Sequence, residues 1–264
     1  MNLNISNKIA FIGGASKGLG KASAESLAKE GVSLAICSND PKSLNETAEY
    51  LLSTYKVEVL PILADLSETD KIKDNVIKKV IDKFGRIDIL ITNSGGPKPG
   101  DFFTLNEDDW RNAFDSVLYY VIELYRLVIP FMKKNNWGRI INNTSLTVKE
   151  PPATMVLSNV FRTGVVSLAK TMSKDLIKSN ITINNICPGA FKTDRAIELM
   201  KAKAETTGVS IDEVEKNAVV NFPMGRYQKP DEFGDLVAFL ASDLAKSITG
   251  TTIQIDGGIS KGLL

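Results

Sequence analysis

The chain has 264 residues, a formal net charge of +1 and 43% hydrophobic residues. That length and apolar content suit one α/β unit with a sizeable core, and the balanced charge offers no basic field for nucleic acid. Histidine is absent and the two cysteines are Cys37 and Cys187, which excludes a His-based triad, argues against a bound metal and fits a reducing, cytoplasmic compartment with both thiols as small core residues.

The first predicted element is the apolar run Ile9–Ile12, read as a buried strand. Glycines follow at Gly13, Gly14, Gly18 and Gly20, then a helical pattern through Ala22, Leu27 and Ala28 that ends at Gly31. Strand, glycine-rich turn and helix form the entry to a dinucleotide-binding unit. Glycine permits the tight turn, the bare backbone can approach a pyrophosphate, and the helix N-terminus favours negative charge. Upstream, MNLNISNKIA lacks the apolar core of a signal peptide, and no apolar run in the chain is long enough to span a bilayer. No membrane partner is expected.

The spacing Gly14-x3-Gly18-x-Gly20 resembles that of the short-chain dehydrogenase/reductase family. The family usually has Thr where Gly13 stands, so a side-chain bond that braces the turn is expected to be missing. The resemblance implies cofactor contacts from Gly14, Ser16, Lys17, Gly18, Leu19 and Gly20.

The second strand is expected at Val32–Cys37, followed by Ser38, Asn39 and Asp40. In a Rossmann arrangement this strand end meets the adenosine ribose. NAD-preferring relatives usually carry an acid where Ser38 stands, and NADP-preferring ones often a base where Lys17 stands. The resemblance therefore favours NADP(H) over NAD(H); alternatively Lys17 is a solvated surface lysine. A helix from Pro41 to Tyr55 leads to a third strand, Val57–Ala64. Asp65 and Leu66 resemble the family's adenine contact, although Asp65 could instead cap the helix expected at Glu68–Phe84.

The fourth strand is Ile87–Thr92, and Asn93-Ser94-Gly95-Gly96 after it resembles the family's Asn-Asn-Ala-Gly, with Asn93 and Gly95 in matching places. Asn106–Met132 reads as a long helical stretch broken near Pro130, with Trp110 as a core or interface anchor. Relatives carry a water-holding Asn seven residues after this Trp; here Val117 stands there. Gly138–Thr144 is the fifth strand, ending at Ser145, which matches the family's catalytic Ser that hydrogen-bonds the substrate carbonyl; the other reading is a turn residue.

The family then expects Tyr thirteen residues on and Lys four further, and this chain has Ser158 and Arg162. No tyrosine lies between Tyr125 and Tyr227, so the wider Tyr–Lys spacing of enoyl reductases is absent too. Ser158 and Arg162 are four apart and share a helical face. The nearest resemblance is to 3-oxoacyl carrier-protein reductases, in a variant group with Ser-Asn-x-x-Arg. The competing reading has Arg162 paired with a carboxylate and Ser158 capping its helix.

Ile181–Ile186 is the sixth strand. Pro188 and Gly189 match the family's turn beside the nicotinamide, and Thr193 is where a hydroxyl often meets the carboxamide. Ala196–Val220 holds two short helical patterns, and the family's insertion here implies a substrate lid at about 190–224, with Phe191, Met200, Phe222 and Met224 as either an apolar wall or packing. Pro230–Ser242 is a helix and Ile253–Ile255 a last strand, closing on Asp256-Gly257-Gly258.

The expected fold is α/β: a doubly wound, mostly parallel sheet with helices on both faces, in one domain over 1–264. The resemblance implies an NADP(H)-linked oxidoreductase acting on a carbonyl/alcohol pair, its small-molecule substrate anionic or an acyl thioester. The long helices Asn106–Met132 and Ser158–Ser179 match those that relatives pack across a two-fold axis, which implies a homodimer or homotetramer. The altered catalytic pair leaves a second reading open: an impaired nucleotide-binding protein, serving as a sensor or a partner subunit.

Overall fold

In the computed structural model, which describes residues 2–263, seven parallel strands form one sheet in the order β3-β2-β1-β4-β5-β6-β7. The strands are β1 Ile9–Ile12, β2 Ser33–Ser38, β3 Val59–Leu63, β4 Ile89–Thr92, β5 Gly138–Asn143, β6 Ile181–Pro188 and β7 Thr252–Ile255. The chain starts at the centre, winds out to β3, then returns past β1 to β4 and winds out the other way. That reversal leaves a crevice at the strands' C-terminal ends between β1 and β4.

The central strands are apolar because both faces are covered. Along β1, Ala10 and Ile12 join one buried cluster while Ile9 and Phe11 join the other, as the two-residue period of a strand requires. One face carries α1 (Gly18–Lys29), α2 (Pro41–Tyr55) and, packed on α1, the chain's last long helix. The other carries α3 (Lys78–Phe84), α5 (Tyr120–Lys134) and α6 (Val156–Leu176). Pro61 sits on β3, an edge strand, where a missing backbone donor costs least.

The Ile9–Ile12 strand and Pro41–Tyr55 helix form as expected. Asp40 caps α2, accepting from Lys42 N and Ser43 N, with Pro41 at the first helical position. Two expectations are corrected. The stretch Asn106–Met132 does not break near Pro130. α4 (Glu107–Ala113) opens on an Asn106–Asp109 capping box, runs through a wider π turn at Phe114–Tyr119 and continues as α5 to Lys134. Pro130 is exposed, so only a solvent-side bond is lost, while buried Val128, Ile129 and Met132 hold the helix down. The expected helix Glu68–Phe84 is α-helical only from Lys78, preceded by a tight turn at Thr69–Lys71 and a π turn at Lys73–Ile77.

After β6 come α7 (Asp194–Thr207), α8 (Ile211–Val219) and α9 (Pro230–Ala241). α9 is the helix that packs on α1. Met200, Ala204 and Val214 form a small cluster separate from the two sheet cores, and Phe191 packs edge-on against Phe233 at 5.9 Å. Of the four candidate wall residues, Phe191 and Met200 are thus taken up by packing. Phe222 stacks edge-on with Tyr227, and Met224 remains exposed. Among the described residues no helix is long and apolar enough to cross a membrane.

Candidate active site

The glycine turn is held by the sheet and by one side chain. Gly13 N donates to Ile91 O at 3.1 Å and Ala15 N to Cys37 O at 2.9 Å. Asn93 Nδ2 donates to Gly13 O and to Gly14 O, each at 3.0 Å. This bridge braces the turn from β4, in place of the expected Thr. Gly14 has φ of +54°, and a Cβ on Gly20 would lie 2.2 Å from Gly14 O. Both positions therefore need glycine. α1 has no side-chain cap on its N-cap residue Lys17, and Gly18 N donates instead to Asp194 Oδ2 at 3.2 Å.

A cavity of about 240 Å³ opens beside the turn, lined by Gly14, Ser38, Asn39, Asp65, Leu66 and Gly95 among others. Ser16 Oγ lies 2.9 Å from Ser38 Oγ, which also accepts from Asp40 N at 3.1 Å. Asp65 accepts from Asn39 Nδ2 at 3.2 Å and from Ser67 N and Oγ at 2.9 and 2.7 Å, closing a turn rather than capping a helix. Burial works to raise the Asp65 carboxyl, but the hydrogen bonds from Ser67 and Asn39 outweigh it and hold the carboxyl below its ordinary value. Lys17 is exposed, as its surface reading expects, and its Nζ pairs with Asp40 Oδ2 at 3.0 Å. Hydrogen bonds from Ser43 and Lys17 hold the Asp40 carboxyl well below the usual range, and the bond to Asp40 raises Lys17.

A second cavity of about 430 Å³ shares Gly14 and Asn93–Gly96 with the first and runs on past Leu19 to Asn143, Thr193 and Arg195. The two make one cleft across the β1/β4 crevice. Pro188 ends β6, and Gly189 N ties it to β7 through Ile255 O at 3.0 Å. Thr193 Oγ1 caps α7 by accepting from Ala196 N at 3.3 Å.

At the end of β5, Ser145 opens a short turn at Leu146–Val148, and its Oγ accepts from Thr147 N at 3.2 Å. Ser158 is buried at 2% exposure, with its Oγ 3.0 Å from Thr147 Oγ1. It neither caps α6 nor opens on the cleft; Thr147 stands between it and Ser145. Arg162 meets no carboxylate among the described residues. Its Nη1 donates to Asn143 O at 3.0 Å and Thr144 O at 2.8 Å, while Nε is buried without a partner. Burial pushes this guanidinium below its ordinary value. Val117 is buried in the π turn, where neighbouring Leu118 packs against Gly164 of α6.

Asn143 was not singled out in the sequence, yet it connects the site. Its Nδ2 donates to Asn93 Oδ1 at 2.7 Å and its carbonyl receives Arg162, so bonded groups run from the glycine turn to α6. The available signal was Asn142-Asn143 within a buried strand, since buried amides need partners. Thr147 and Asp194 carry no comparable signal in the sequence.

The chain matches the family model described as enoyl-(acyl carrier protein) reductase over residues 14–260. It is 32% identical to the NADPH-dependent reductase BacG of Bacillus subtilis over 260 residues, covering 98% of this chain and 100% of BacG. It is 31% identical to the 3-oxoacyl-[acyl-carrier-protein] reductase FabG of Thermotoga maritima over 262 residues, covering 97% and 99%. The solved structure of L-sorbose reductase from Gluconobacter frateurii, complexed with NADPH and L-sorbose, matches with a TM-score of 0.96 at 29% identity, covering 100% of both chains. With the family match running from Gly14 to Ser260 and these relatives aligned over nearly their whole lengths, the chain belongs to the short-chain dehydrogenase/reductase family.

Proposed function

We propose that this protein is an NADP(H)-linked oxidoreductase that interconverts a carbonyl and an alcohol, with a modified catalytic pair. The observation that carries this reading is the cleft that runs from the Asn93-braced glycine turn to Asn143 at the end of β5, two residues before Ser145. The NADPH named for BacG and for the L-sorbose reductase complex supports the same cofactor here. The donor set fits it. The glycine turn and the N-terminus of α1, whose Gly18 N is held by Asp194 here, would face the pyrophosphate, with Ser38, Asn39 and Lys17 at the ribose, Asp65 and Leu66 at the adenine, Asn93 and Gly95 on the adenosine side, and Pro188, Gly189 and Thr193 toward the nicotinamide. When bound, the reduced cofactor supplies a hydride to the carbonyl carbon.

Ser145 is oriented for its part. Thr147 N–H occupies a lone pair of its Oγ, leaving the hydroxyl proton to donate to a substrate oxygen. Ser158 cannot replace a phenol, because an alkyl hydroxyl is far less acidic and this one is bonded to Thr147. Arg162 stays protonated and so supplies charge, not a proton. A guanidinium without a carboxylate partner suits a substrate that carries an anion close to its carbonyl, as a keto acid does, while the 3-oxoacyl thioester reading rests on the likeness to FabG. Residues 190–224 act as the lid over this substrate. Their own small cluster and the Lys192–Glu215 ion pair at 2.7 Å support a unit that moves as one.

Turnover of NADPH against a panel of neutral ketones, keto acids and 3-oxoacyl thioesters tests the reading. Reduction of an anionic member supports it. Tight cofactor binding with no turnover on any member favours the impaired nucleotide-binding protein, the reading that buried Ser158 and the missing Tyr support.

Cofactor choice gives a separate expected result. Calorimetry should find NADPH bound roughly tenfold more tightly than NADH, and Lys17→Ala should erase that difference. Because Lys17 must leave Asp40 to meet a 2′-phosphate, Asp40→Asn should widen it while keeping the α2 cap.

Assembly is proposed as a homodimer or homotetramer. The groove between α5 and α6, about 350 Å³ and lined by Ile122, Ile129, Pro130, Leu168 and Met172, presents the helices that the family resemblance places on a two-fold axis. Light scattering at micromolar concentration should return a multiple of 28.8 kDa; a monomer contradicts the proposal.

A further inference from the structure

Glu150 lies five residues beyond Ser145, at the end of the same turn. Val148 N donates to Ser145 O at 3.1 Å, and Lys149 N and Glu150 N donate to Leu146 O at 2.9 and 3.0 Å. The turn is thus a continuous hydrogen-bonded coil from Ser145 to Glu150. Pro151 and Pro152 follow, Pro152 O accepts from Asn159 Nδ2 at 2.8 Å, and Met155 then bridges Gly100, with Gly100 N on Thr154 O at 2.8 Å. Thr147 and Pro152 are held by α6, and the side chain of Glu150 reaches the far end of the chain.

The contact is with the segment after β7. Oε1 of Glu150 accepts from Ser260 Oγ at 3.0 Å, from Gly262 N at 2.9 Å and from Lys261 N. Three donors on one oxygen hold the carboxyl below its ordinary value, the Lys261 N–H foremost. The segment is itself anchored: Asp256 Oδ1 accepts from Gly258 N at 2.9 Å and Oδ2 from Ser260 N at 2.8 Å. Met224 packs on Gly257 and Pro223 on Gly258, at the end of the proposed lid. The segment therefore touches the lid end on one side and the Ser145 turn on the other.

We infer that Glu150 is a positioning residue, through which segment 256–262 holds the turn that aims Ser145 and couples that turn to the end of the lid. The inference rests on the role proposed for Ser145. Its physical content is that Thr147 holds only the middle of this part-buried turn, so that its end at Glu150, which runs into two exposed prolines, would otherwise be free to tilt, and a displacement of about 1 Å at a reacting group can cost up to 10²-fold in rate. The carboxylate suits this task because it accepts several N–H donors at once, with charge-assisted bonds.

Hydrogen exchange and kinetics on the full chain test it. Glu150→Ala should raise exchange at amides 146–150 and 260–262 by about tenfold or more, with α1 and β1 unchanged. With acetoacetyl-coenzyme A and ethyl acetoacetate as probes, kcat should fall about 10–100-fold while the Kd for NADPH stays the same. Glu150→Gln keeps an acceptor and should lie between. Ser260→Ala should slow the wild type and have little further effect in Glu150→Ala, where the Ser260 Oγ–Glu150 Oε1 bond is already absent. Unchanged exchange at 146–150 in Glu150→Ala overturns the inference, as does an equal effect of Ser260→Ala in both backgrounds. If neither probe is reduced by the wild type, the failure belongs to the proposed function, and the exchange arm still decides the coupling.

Discussion

Neutral ketones should be reduced about 10²–10⁴-fold more slowly than by a relative with the usual Tyr and Lys, the range a positioned general acid contributes. The cause is local. Ser158 is enclosed with its hydroxyl on Thr147, Arg162 supplies charge rather than a proton and gives Nη1 to the carbonyls of Asn143 and Thr144, and Val117 offers no amide to hold a water. On the proposed function, water or a residue of the segment 190–224 would then have to deliver the proton. The rate should recover for a substrate whose anion engages Arg162. Arg162→Leu should therefore remove most of the preference for anionic over neutral substrates, a change of tenfold or more in relative kcat/KM. The combination Val117→Asn, Ser158→Tyr and Arg162→Lys should raise activity on neutral ketones, provided the new ring displaces the Thr147 contact. Steady-state kinetics on paired keto acids and ketones provide the measurement. Brisk reduction of a neutral ketone that survives Ser158→Ala and Arg162→Leu would refute the assignment.

The glycine turn should be equally sensitive. In Gly20→Ala the new Cβ would sit 2.2 Å from Gly14 O and 2.7 Å from Asn93 Nδ2. The turn must open, and the Asn93 bridge to Gly13 and Gly14 goes with it. Overpacking of this kind costs about 1–3 kcal/mol, and each lost hydrogen bond about 1 kcal/mol. The expected result is a clearly lower Tm and NADPH binding weakened at least tenfold. Gly95→Ala is the contrast: its Cβ would meet nothing within 4 Å, so the fold should be untouched while the cleft narrows. A melting curve and a calorimetric titration on each variant separate the two effects. Equal Tm for wild type and Gly20→Ala would show that the turn is not braced as described.

The sequence alone determined what depends on near neighbours. The apolar run at Ile9–Ile12, bounded by the glycine turn, reads as the buried strand it forms, and Asp40-Pro41 starts α2 where its own cap and φ restraint act. The glycine spacing, the strand end at Ser145 and the loss of Tyr and Lys are also written in residue order. Tertiary structure decided what depends on distant partners. The wider turn at Phe114–Tyr119 and the continuation through Pro130 follow from which side chains face the sheet and which face water. The spacing of Ser158 and Arg162 puts them on one face, but whether that face meets a carboxylate, a carbonyl or the cleft depends on β5. Lys17 likewise gains Asp40 across a gap of 23 residues, and Glu150 gains the segment at 260–262 more than a hundred residues on. A helix or strand is set by forces that act within a few residues. A buried polar group takes whichever partner the packed chain brings within hydrogen-bond reach, and only the three-dimensional path of the chain specifies that partner.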